Sequence, residues 1–170
     1  MNYRDFRGGD PGWKGSAGPV KRGEEADVAD LYDMLQEITD YSHEEKLDLI
    51  RESYTALLPA FREIDRETQG LSFVADIIGT AASADGVLDE TELAVMRTVM
   101  EASDLDLPDD RLADMVRNSG TEDVKKMIYA LSDMLDPELR GRIVLLTAGV
   151  CSVDDRISEE EIGLIRGFLD

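Results

Sequence analysis

The residues best placed to do chemistry are carboxylates in two short stretches. The first is Ala84-Asp85-Gly86-Val87-Leu88-Asp89-Glu90-Thr91-Glu92-Leu93, and the second is Val153-Asp154-Asp155-Arg156-Ile157-Ser158-Glu159-Glu160-Glu161-Ile162. Asp85 aligns with Asp154, Leu88 with Ile157, Asp89 with Ser158, Glu92 with Glu161 and Leu93 with Ile162, all at one offset of 69 residues. Apolar stretches flank each copy, so each reads as helix, acidic corner, helix, and the chain as internally duplicated. Hard oxygen ligands crowded in a turn between helices suit a divalent cation, calcium before magnesium, because calcium accepts six to eight oxygens in a flexible shell.

Neither corner is a complete twelve-residue calcium loop. Asp85, Gly86, Leu88, Asp89 and Glu92 fall at its fifth, sixth, eighth, ninth and twelfth positions, but Ala81 and Ser83 stand at the first and third, where carboxylates belong. In the second copy Val150, Ser152 and Asp155 occupy the first, third and sixth positions. A cation therefore needs carboxylates from both corners together.

Helix capping explains part of the same pattern. Asp89 with Glu92, and Ser158 with Glu161, have the N-cap-to-third-residue pairing that opens a helix. Gly86 suits the left-handed residue that ends one. Capping needs neither Asp85 nor Asp154, which follow a helix C-terminus where the macrodipole disfavours an anion. Those two aspartates are the first candidates for a ligand role.

The elements that must position these residues are helical almost throughout. Val28, Leu31, Tyr32, Leu35 and Ile38 form one apolar stripe. Ser42-His43-Glu44-Glu45 is a capping box opening a second helix, with Leu47, Ile50, Tyr54, Leu57, Leu58 and Phe61 on its inner face. Further helices are expected over 71–84, 90–102, 108–118, 122–135, 136–152 and 159–169, the seventh opened by the Asp136-Pro137 pair. No segment alternates with period two for long enough to make a strand. The expected class is all-α, a bundle of seven or eight helices in a single domain over 24–170. Residues 1–23 hold six glycines and two prolines and read as a flexible tail.

An Ala-rich helix leading into Ala-Asp-Gly, an aliphatic residue two places on, then an acidic helix start with Glu-Leu, resembles the TerB-like family. That family comprises tellurite-resistance proteins and the related N-terminal domain of a membrane-anchored DnaJ-type co-chaperone. The resemblance rests on residues 71–107, where Ala81-Ala82-Ser83-Ala84-Asp85-Gly86-Val87-Leu88-Asp89-Glu90-Thr91-Glu92-Leu93 precedes a helix and then Ser103-Asp104-Leu105-Asp106-Leu107-Pro108, and it extends toward Asp170. It implies a helical bundle with an internal pseudo-repeat and an acidic metal site. Asp85, Asp89 and Glu92 fall in the first motif, Asp154 and Glu161 in the second. Asp155 stands where the motif has glycine, and Ser158 where it has a second aspartate. It further implies a metal-responsive or stress-associated module rather than an enzyme.

Composition narrows the partners. The net charge is −20, and residues 24–170 carry 13 basic against 36 acidic side chains. So negative a body repels phosphate backbones and anionic lipid, leaving cations and basic protein partners. No apolar run approaches the ~20 residues of a membrane span. No secretory leader is visible and Cys151 is the single cysteine, so a cytoplasmic setting without disulfides is expected.

Other chemistry is sparse. His43, the one histidine, sits in a capping box, and Cys151 lies in an apolar stretch that suits the core. Met96, Met100, Met115, Met127 and Met134 fall at core-like spacings. Paired carboxylates holding a metal-activated water would make a hydrolase, the alternative to a binding module, and a structural adaptor without ligand is the third class.

Overall fold

The computed structural model describes residues 25–81, 89–118, 126, 129–130 and 132–169. Among these are seven helices and no strand: α1 (Glu25–Thr39), α2 (His43–Ile64), α3 (Leu71–Ala81), α4 (Glu90–Ala102), α5 (Asp109–Arg117), α6 (Pro137–Cys151) and α7 (Glu159–Gly167). Half of the segment expected as a helix over 122–135 lies outside the described residues, as does the end of the one expected over 71–84.

The hub of the bundle is α6. Gly141 and every residue from Ile143 to Cys151 are buried, so from Ile143 onward this helix is enclosed on all sides and must be surrounded. It packs against α1, α2, α3 and α7. Contact with α2 is the most extensive and closest at Gly149, where a Cβ would sit 2.9 Å from Ile50 Cγ1. In turn α2 packs on α4, while α3 touches α4, α5, α6 and α7.

Local chemistry sets the ends of these helices. Ser42 accepts from the Glu45 amide while Glu45 accepts from the Ser42 amide, completing the capping box of α2. Asp136 caps α6 by accepting from the Leu139 amide at 2.9 Å, with Pro137 in the first turn. Between α2 and α3 the chain reverses through Gln69 and Gly70, with φ of 52° and 87°. Tyr54 donates its hydroxyl to the Gln69 carbonyl at 2.6 Å. The Phe61 ring lies against Gly70, and a Cβ there would fall 2.3 Å from Phe61 Cδ2, so both the backbone angle and the ring require glycine.

Two expectations about inward faces are corrected. Tyr32 is 40% exposed, because the buried stripe of α1 runs through Leu31, Met34, Leu35 and Ile38. Met134 is 76% exposed, since it lies in the turn before α6 rather than on a helix. Met96 is buried, Met100 and Met115 pack at the core's edge, and Met127 has no described placement. Among the described residues no helix is long and apolar enough to cross a membrane.

Candidate metal centre

The two corners share one local construction at equivalent positions. At the start of α4, Asp89 accepts from the Glu92 amide at 2.8 Å, and Glu92 Oε2 accepts from the Asp89 amide at 2.9 Å. At the start of α7, Ser158 Oγ accepts from the Glu161 amide at 3.2 Å, and Glu161 Oε2 accepts from the Ser158 amide at 2.6 Å. Both caps are extended, with ψ of 172° and 164°. Capping therefore accounts for one oxygen each of Asp89, Glu92 and Glu161. Asp85 lies outside the described residues, as do Gly86 and Leu88.

The second corner is described in full. After α6 ends at Cys151, the buried Ser152 donates its hydroxyl to the Gly149 carbonyl at 2.9 Å. The turn closes when the Asp155 amide bonds the Ser152 carbonyl at 3.0 Å. Asp155 has φ of 68°. It takes the left-handed conformation that Gly86's place in the motif calls for, which aspartate tolerates better than most side chains. The departure from glycine at this position thus leaves a left-handed turn intact.

Asp154 and Asp155 answer to opposite sides of the corner. The carboxyl of Glu161 is pushed above its ordinary range, first by burial and then by the charge of Asp154, with the Ser158 hydrogen bonds and Arg156 opposing. The Cys151 thiol, fully enclosed, is pushed well up by burial, with Glu161 and Asp154 adding to it. The charges of Asp154 and Glu161 thus reach Cys151, whose thiol burial holds in its unreactive protonated form. Arg156 Nε stands 3.7 Å from Asp154 at the surface. Asp155, by contrast, is held below the usual carboxylate range by its hydrogen bond and charge interaction with Lys46, with a smaller contribution from His43.

Lys46 is the functional-site residue that the sequence reading missed. Its side chain is 0% exposed, yet its Nζ reaches Asp155 Oδ1 at 2.7 Å across the bundle. The signal was present in the periodicity: Lys46 continues the inner stripe of Ile50, Tyr54, Leu57 and Phe61 toward the N-terminus, and an ammonium on an apolar stripe requires a carboxylate.

Of the five proposed ligands, the structure pairs Asp89 with Glu92 through the capping box and brings Glu161 within the charge influence of Asp154. Among the described residues no three of His, Cys, Asp and Glu form a metal-holding group, and Asp85 is outside that set. His43 is exposed at the start of α2. No known protein family, curated protein or solved structure matches this chain.

Proposed function

We propose that this chain is a TerB-like, non-enzymatic helical module whose two acidic corners hold a divalent cation, calcium before magnesium, and which docks a protein partner in a metal-responsive or stress-associated cytoplasmic role. On this reading the hairpins α3–α4 and α6–α7 are copies of one unit. Asp85, Asp89 and Glu92 from the first corner and Asp154 and Glu161 from the second are the ligands.

The observation that carries the reading is the half-buried Glu161 carboxyl, which feels the negative charge of Asp154. Burial first, and then the negative charge of Asp154, favours protonating Glu161. A divalent cation between the two carboxylates offsets that charge and supplies hard-ligand coordination. The acidic body, net −20, draws cations and basic partners to the same surface.

Melting curves with and without calcium, magnesium or manganese test it. Binding selective for the folded state adds about 2.7 kcal/mol at a cation concentration a hundredfold above the dissociation constant. For a chain of this size that is a rise of roughly 5–10 °C. Asp85→Asn and Glu161→Gln should each remove most of the rise, and Asp106→Asn, exposed and outside both corners, should leave it. Melting temperatures unmoved by all three metals at millimolar concentration would refute the cation site.

A further inference from the structure

We propose that Lys46 is the resident cation of the α6–α7 corner: its ammonium holds Asp155 in the left-handed turn and withholds that carboxylate from cations in solvent. Three observations converge on it. Lys46 is wholly buried in the first turns of α2, in the stripe that packs the core. An ammonium so placed needs a counter-charge, because burying an unpaired charge is far costlier than burying a pair. Its Nζ meets Asp155 Oδ1 at 2.7 Å, a short charge-assisted hydrogen bond.

Asp155 occupies the position that Gly86 holds in the first corner, and it keeps a positive φ of 68°. Glycine would meet the backbone demand at less strain, so the carboxylate at this position has another task, which is to serve Lys46. The aspartate and the lysine, 109 residues apart, form a set.

The pairing decides which carboxylates the corner offers to solvent. Asp155 is 85% exposed and is a hard oxygen donor beside Asp154. With the ammonium on one of its oxygens, Asp154 and Glu161 are left as the corner's ligands. Removing the ammonium frees a third carboxylate and deletes a nearby positive charge, and both changes strengthen cation binding. A residue that merely filled space would weaken the fold on removal without raising cation affinity.

The part concerning divalent ions rests on the cation reading of the corners, and the experiment separates the two. Calcium binding is measured by calorimetry and melting on wild type, Lys46→Met, Lys46→Met with Asp155→Asn, and Asp155→Gly. Lys46→Met should bind calcium at least about tenfold tighter than wild type and gain about 5 °C more from it. The added Asp155→Asn should abolish that excess. Asp155→Gly, which strands the ammonium, should melt below wild type without any gain in calcium response. If Lys46→Met folds only when calcium is added, recovery of helicity during the titration, lost with Asp155→Asn, is the same result. A calcium response in Lys46→Met no larger than wild type, an excess that survives Asp155→Asn, failure of calcium to refold Lys46→Met, or Asp155→Gly as stable as wild type would each overturn the proposal. The wild-type calcium shift alone reports on the cation site; the difference between Lys46→Met and wild type reports on Lys46.

Discussion

Replacing Asp89 by serine rather than alanine separates its role as a cap from its role as a ligand. Asp89 contributes an acceptor to the Glu92 amide at 2.8 Å and a negative charge to the first turn of α4. Alanine removes both. Losing the cap costs about 1 kcal/mol, and losing an exposed charge at the helix N-terminus about 0.5 kcal/mol more. The sum, about 1.5 kcal/mol, lowers the melting temperature by about 3–6 °C in a chain of this size. Serine keeps the acceptor, as Ser158 does in the second corner, so Asp89→Ser should melt within about 2 °C of wild type when measured in chelator. In calcium both should fall behind wild type. Both variants lack the carboxylate, so both should lose the calcium-dependent rise alike. Serine and alanine equally destabilising in chelator would refute the capping geometry. A full calcium rise in Asp89→Ser would remove Asp89 from the ligand set.

Other substitutions test the frame that carries the corners. Gly70→Ala should cost more than about 2 kcal/mol in denaturant unfolding, because the left-handed angle is strained for alanine and the Phe61 ring must move out of its tilted contact with Phe73, 5.3 Å away. Gly149→Val should cost at least about 1–3 kcal/mol by overpacking the α2–α6 crossing, where Ile50 is already in contact range. Burial raises the Tyr54 phenol from 10.0 to about 12. The unfolded chain therefore ionises this phenol first, and stability that is complete below pH 10 should decline until about 12, with a late-titrating phenolate that Tyr54→Phe removes.

The helix starts were legible because they rest on local chemistry. The capping boxes at Ser42, Asp89 and Ser158 and the Asp136-Pro137 start lie where the sequence alone put them, since an N-cap satisfies amides only three residues away. Cys151 is in the core and His43 is exposed, as their neighbours implied. What failed depended on distance or on an element's end. Tyr32 shares an apolar stripe on paper, but Met34 takes the inward direction, a choice set by how α1 meets α6. The Lys46–Asp155 pair spans 109 residues, and no local rule predicts which carboxylate closes on a buried lysine. At the second corner the sequence suggested a defect where glycine was missing, and the structure shows a left-handed aspartate with a partner.

The burial of α6 on every side also bears on how the second corner opens. Backbone amides from Ile143 to Cys151 are enclosed and should exchange with solvent deuterium only when the entire bundle unfolds. Its neighbour α7 is nine residues long and packs on α6 and α3. Its few turns hold less of the core than α6 does, so it should open in sub-global fluctuations that leave the hub closed. Asp154 lies just past the slow-exchanging helix and Glu161 in the first turn of the fast one. Whatever bridges these two carboxylates fastens a short helix to the hub, and its arrival should be visible as slowed amide exchange along α7 while α6 stays unchanged.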